Sequence, residues 1–125
     1  MSAAYPCPCC GYLVFDEPLG SYDICPYCFW EDDALQLEFA TTHAAGPNKV
    51  TLLEAQRNHQ QVGACTADMR RNVRKPPPDA PRDPAWRPIE PERDSFEDWE
   101  AEPLVRAPDD ADLYYWRPTF WRRPR

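Results

Sequence analysis

The sequence predicts a small α+β fold: a short antiparallel β-sheet gathered around cysteine turns, one or two helices, and an irregular proline-rich C-terminal tail. Three observations carry that prediction. Two C-x-x-C pairs, each opening Cys-Pro, stand 14 residues apart near the start of the chain. A single helical period with start and stop signals follows over residues 51–63. Of the 16 prolines, 11 lie after Lys75, where they exclude a regular ladder and favour extended chain. The expected division is a ribbon-and-helix unit over residues 1–75 and a tail over 76–125 that packs on it or extends from it.

The first turn lies in "YPCPCCGYLVF". A tight turn between Cys7 and Cys10 places both sulfurs on one side of the backbone. Pro8 fixes φ as the turn begins, and Gly11 suits the position after it, which often needs a positive φ. "CPYC" at 25–28 repeats the arrangement with Phe29 in the glycine's place, so the second turn is expected to be less regular. Residues 12–15, "YLVF", are β-prone, and "DEPLGSYD" carries turn chemistry that sends the chain back toward Cys25. In "ALQLEF" Leu35, Leu37 and Phe39 alternate with Gln36 and Glu38, the period of a half-buried strand. The expected sheet therefore has three short strands.

"TTHAAGPNK" reads as loop. Thr51, with Glu54 three residues on, is a capping-box start. Leu52, Ala55, His59 and Val62 share one helical face, and Gly63 marks its end. Cys65, Met69 and Val73 continue through a shorter helical piece until Pro76-Pro77-Pro78. In the tail, Ser95 and Asp98 bracket a possible short helix. Trp86 and Trp99 are large apolar groups that would anchor the tail on the first unit.

Two matched C-x-x-C turns facing each other make a four-cysteine metal site. The assignment is one structural zinc ion held by Cys7, Cys10, Cys25 and Cys28. Cys9 is left over because Cys7-x-Cys9 is too close for the usual turn. A buried zinc also answers a size problem. About 70 residues seldom build a sufficient core, and a structural zinc adds on the order of 10 kcal/mol of folding energy.

Rival chemistries fit less well. Disulfides need an oxidising compartment. The N-terminus has no basic-then-apolar leader and no stretch approaches a membrane span, so a cytoplasmic location is expected. "CPYC" is also the active-site string of glutaredoxins, which makes thiol redox chemistry at Cys25 and Cys28 a third reading. That chemistry needs a long helix directly after the motif. A catalytic zinc keeps one position open, whereas four thiolates close it. His43 and His59 read as structural, and Cys65 as a semi-exposed thiol. Paired catalytic acids, a Ser-His-Asp set, a P-loop and a dinucleotide fingerprint are all missing, so the expectation is that the protein is not an enzyme.

The formal charge is −7, arranged in blocks: −6 over residues 1–50, +3 over 51–75, −8 over 76–112 and +4 over 113–125. The negative total repels phosphate backbones and favours a protein partner with a basic surface. The expected role is a zinc-stabilised, non-enzymatic interaction module, immunity- or antitoxin-like, that masks a basic partner such as a nuclease toxin. Its sharpest candidate contact is "FWEDD", where Trp30, Glu31, Asp32 and Asp33 stand on a metal-fixed turn. The alternative is a nucleic-acid-associated zinc ribbon. It would use Arg70, Arg71, Arg74, Lys75 and the C-terminal arginines, with Trp116, Phe120 and Trp121 stacking on bases. Against it, the helix-end bases and the tail are expected to pair internally with the acidic first half.

"YPCPCCGY", "YDICPYCFWEDD" and "GPNKVTLLEAQRNHQQVGAC", followed by the proline run, resemble the bacterial cysteine-rich family named CPCC after its motif. The resemblance spans roughly residues 5–90. Its anchors are Cys7-Pro8-Cys9-Cys10-Gly11, Cys25-Pro26 with Cys28 to Asp33, and Gly46-Pro47-Asn48. It implies a bacterial protein with a zinc ribbon and an appended helix, and no established activity. His59 and Val62 depart from it, standing where larger apolar residues are expected.

Overall fold

The computed structural model describes residues 4–122. Strands β1 (Tyr5–Pro6) and β2 (Leu13–Phe15) pair antiparallel, with Tyr5 opposite Phe15 and Pro6 opposite Leu13. The first cysteine turn closes this ribbon. Among the described residues it is the one sheet, so the three-stranded expectation is corrected to two. The second cysteine turn closes a shorter stem. Ile24 bridges Glu31 antiparallel, and the Tyr22 N–H donates to the Asp32 carbonyl at 3.0 Å.

The missing strand is a helix. Residues Ala34–Glu38 form α1, not the strand expected from "ALQLEF". Asp33 is extended, and its carboxylate accepts the Gln36 N–H at 2.9 Å, an N-cap with its partner three residues on. The apolar alternation misled because the polar residues between are buried too. Gln36 is fully buried. Its amide nitrogen lies within 3.1 Å of the His43, Asn48 and Val50 carbonyls, and its oxygen accepts from the backbone and side chain of Asn48. Gly46 lets the loop approach: a Cβ there would come within 2.7 Å of Gln36. Asn48 in turn pairs with both the N–H and the C=O of Glu31 at 2.8 Å, as a neighbouring strand would.

Helix α2 (Leu52–Val62) begins and ends at the expected residues. Thr51 Oγ1 accepts the Glu54 N–H at 3.1 Å, and Gly63 caps the end at φ 83°. Its buried face is Leu52, Ala55 and Gln56, while Val62 is exposed. A 3₁₀ helix follows at Ala67–Asn72.

Residues 76–122 contain neither helix nor strand, so the short helix expected over 96–102, "FEDWEAE", is absent. The tail makes specific contacts instead. The Trp99 ring stacks 4.0 Å from His43 and 5.1 Å from Phe39, and the Trp99 backbone N–H donates to Thr42 Oγ1. Ile89, Tyr114, Tyr115 and Trp116 join Phe15, Leu37, Leu52, Ala55 and the cysteines in one apolar cluster. No helix among the described residues is long and apolar enough to cross a membrane.

Candidate metal centre

The two cysteine turns follow one backbone path, offset by 18 residues. In the first, the Cys7 N–H donates to the Tyr12 carbonyl at 2.9 Å and the Gly11 N–H to the Cys7 carbonyl at 2.7 Å. In the second, Cys25 N–H donates to Trp30 and Phe29 N–H to Cys25, both at 2.9 Å. Gly11 has φ 82° and Phe29 φ 70°. The expectation of a less regular second turn is corrected: Phe29 adopts the left-handed conformation that glycine adopts in the first. The Tyr27 N–H also points at Cys25 Sγ, 3.4 Å away.

These turns bring Cys7, Cys10, Cys25 and Cys28 together. All four are fully buried, and their sulfurs lie within 4.8 Å of one another. Cys7 Sγ is 3.6 Å from Cys28 Sγ, and Cys10 Sγ is 3.7 Å from Cys25 Sγ. Four sulfurs about 2.3 Å from a tetrahedral zinc stand about 3.8 Å apart, so the cage matches that ion in size and donor type. Disulfide sulfurs would be about 2.0 Å apart, and all six cysteines are free. Hydrogen bonds from the other three thiols hold Cys25 far below the usual thiol range, outweighing burial. Burial drives Cys7 and Cys28 well above it. A divalent ion held here would favour all four thiolates.

The remaining candidate ligands stand apart. Cys9 is buried and its thiol is pushed up by desolvation, but its sulfur is outside the tetrad. Cys65 is also buried, not semi-exposed, and burial pushes it up to about 12. His43 stacks on Trp99, and desolvation lowers His59.

The FWEDD contact is corrected. Trp30 is 0% exposed and part of the core, and Asp32 is 1% exposed. Asp32 Oδ2 accepts from the Gly20 and Ser21 N–H groups and the Ser21 hydroxyl; burial still lifts its pKa above the usual value. Asp33 caps α1, and the half-buried Glu31 has its backbone locked to Asn48. These residues build the interior, so they present no joint surface to a partner. Sequence reasoning instead missed Gln36, Gln56 and Asn48. The one available signal was Asp33 followed three residues later by Gln36, a cap pattern like the one at Thr51.

The basic residues divide sharply. Tail arginines pair with acids: Arg87 with Asp94 at 2.7 Å, Arg122 with Glu97 at 2.9 Å, and Arg106 with Glu38 at 3.2 Å. Among the described residues, Arg106 is the one tail arginine that pairs with an acid of residues 1–50. Arg70, Arg71, Arg74 and Lys75 are exposed and make no ion pair among the described residues, which corrects the expected internal pairing. Trp116 is buried, and Arg123 and Arg125 lie outside the described residues.

Two hairpin turns that close a buried four-thiol cage define a small cysteine-rich protein with a metal-competent core. The family model described as Cysteine-rich CPCC matches residues 5–80, more than half of the chain, and the protein belongs to that family. No curated protein matches the chain. No solved structure matches it either.

Proposed function

We propose that the protein is a zinc-stabilised, non-enzymatic interaction module of zinc-ribbon type. The carrying observation is the closed tetrad: four buried sulfurs within 4.8 Å of one another leave no side open for substrate or water. Zinc would be held by Cys7, Cys10, Cys25 and Cys28, and its contribution is to tie the two turns together. The same burial argues against thiol redox chemistry at Cys25 and Cys28, which needs an accessible thiolate. Elemental analysis of the purified protein should give one zinc per chain. Cys25→Ser should lose it, and Cys9→Ser should keep it. The ligand assignment is overturned if Cys9→Ser strips the metal while Cys7→Ser does not.

The partner-facing surface is the basic ridge Arg70, Arg71, Arg74 and Lys75, which adjoins the second turn through a hydrogen bond from the Arg74 N–H to the Pro26 carbonyl. Four exposed, uncommitted cations act locally within a Debye length of about 8–10 Å despite the net charge. Their partner would be a nucleic-acid strand. The second reading keeps a basic protein partner, in an immunity-like role. It rests on the net charge of −7 and on exposed tail acids such as Asp98, Glu100, Asp109 and Asp110. Binding of labelled single-stranded RNA, measured at several salt concentrations, separates the two. The ridge reading requires salt-dependent binding that is lost when all four bases become Gln. A chain that ignores RNA and co-purifies with a basic protein supports the second.

A further inference from the structure

Outside the segment matched by the family, the tail folds around a cleft of about 240 Å³. Tyr115, Trp116 and Phe120 supply its aromatic lining. Two of these rings are fixed by bonds that leave the cleft itself alone. The Tyr115 hydroxyl accepts from Gln56 and donates to the Arg87 carbonyl, and the Trp116 N–H donates to Asp83 at 3.0 Å. Arg87 is committed as well, forked onto Asp94 by bonds of 2.7 and 2.8 Å.

Three other arginines line the same cleft with donors to spare. Arg93 has one 3.5 Å contact with Glu90, and Arg117 stands 3.9 Å from Asp112, beyond hydrogen-bond reach. Arg122 holds Glu97 through Nη2, while its Nη1 is buried with no hydrogen-bond partner among the described residues. A buried guanidinium donor without an acceptor keeps its desolvation cost uncompensated. Asp94 is the one acid in the lining, and Arg87 already occupies it. An anion in the cleft would satisfy Arg122 and draw in Arg117.

Guanidinium forks match phosphate and carboxylate oxygens. Arg117, which no acid holds within hydrogen-bond reach, supplies positive charge that an anion can use. The volume falls below the roughly 300–1,000 Å³ of drug-sized pockets, which limits the ligand to about the size of a mononucleotide. We propose that this cleft binds a small phosphorylated ring compound of mononucleotide size, with phosphate on Arg117 and Arg122 and the planar ring against Trp116 and Phe120. The site is independent of the ridge at Arg70–Lys75 and of the metal.

The test titrates the full-length, metal-loaded protein with adenosine monophosphate, inorganic phosphate and benzoate, following indole N–H resonances. The mononucleotide should shift Trp116 and leave Trp99 in place, and it should bind roughly tenfold tighter than inorganic phosphate. Arg122→Gln should weaken it by roughly tenfold or more. Arg117 is 40% exposed, so Arg117→Gln keeps the fold and should also weaken binding several-fold. Arg57→Gln, at an exposed cation of α2 outside both the cleft and the ridge, should change nothing. The proposal is overturned if Trp116 does not move at millimolar mononucleotide, if Arg117→Gln binds normally, if Arg57→Gln weakens binding equally, or if benzoate binds as well. Metal content measured on the same sample keeps a failed cage distinct from a failed cleft.

Discussion

The two cysteine turns share a backbone path but are held from outside by different chemistry. Each exposes two carbonyls at equivalent positions. In the first turn side chains take them: Gln56 and Trp86 donate to Pro8 at 2.9 Å, and Arg82 donates twice to Cys10. In the second turn backbone amides take them: Arg74 N–H donates to Pro26 at 3.0 Å and Cys65 N–H to Cys28 at 2.7 Å. The same split decides the residue after each turn. At Gly11 a Cβ would stand 2.6 Å from the Trp86 ring, so glycine serves both the positive φ and the close approach of the tail. Phe29 carries a full side chain at nearly the same φ. The first turn therefore depends on residue identity at distant positions, and the second depends mainly on the path of the chain.

Breaking the feature that both turns share should have the largest effect. Removing the metal with a chelator, or replacing Cys7 or Cys25 by Ser, should cost on the order of 10 kcal/mol and unfold both turns together. Far-UV circular dichroism alongside metal release checks this. If one turn survives, the two are independent units.

Substitution at the residue after each turn comes next. Gly11→Ala combines a left-handed φ with a collision against Trp86, and should cost roughly 2–4 kcal/mol with release of the tail. Phe29→Gly should stay within about 1 kcal/mol of wild type, because relief of the backbone offsets the lost half-buried ring. Denaturant midpoints of the two variants compare them directly, and equal losses would remove the distinction.

A smaller effect is expected where a carbonyl loses its partner. Gln56→Ala leaves the Ile89 N–H without its acceptor and takes one of two side-chain donors from the Pro8 carbonyl, at a cost of roughly 1–3 kcal/mol. Arg74→Ala keeps its amide and should cost less than about 0.5 kcal/mol, whereas Arg74→Pro removes the donor and should cost about 1 kcal/mol or more. Thermal unfolding of all three variants gives the ranking.

The mildest test uses pH. Burial alone would raise Asp94, but Arg87 and the Glu90 N–H hold it below the usual carboxylate range. Its folded pKa is depressed, so its contribution is present above the ordinary Asp range and lost as pH falls through the lower folded value. Tail docking, read from Trp fluorescence, should weaken there, and the Asp94→Asn variant should show a flatter profile.

The four cysteines and helix α2 were legible in the sequence because each is a local pattern. Spacing alone names Cys7, Cys10, Cys25 and Cys28, and Thr51, Glu54 and Gly63 bracket the helix through caps observed as expected. Helix α1 was misread because five residues are too few to separate the two periods, and because buried Gln36 and Glu38 look like a solvated face. The interior role of Asp32 follows from partners at Gly20 and Ser21, and Glu31 is tied through its backbone to Asn48, pairings that no periodicity connects. The tail contacts were the least legible. Trp86 and Trp99 stand out as residues that need cover, but an aperiodic chain gives no register from which to read where they land.

The reach of the tail has a consequence for the order in which the molecule assembles. Cys7 and Cys28 are 21 positions apart, whereas Trp86 meets Pro8 across 78 and Arg82 meets Cys10 across 72. Closing the longer loops costs more entropy and slows their formation, so the cage can close while the first turn still lacks its outer partners. For the ion proposed above, capture would precede docking, and the docked tail would act as a late latch whose transient opening paces exchange.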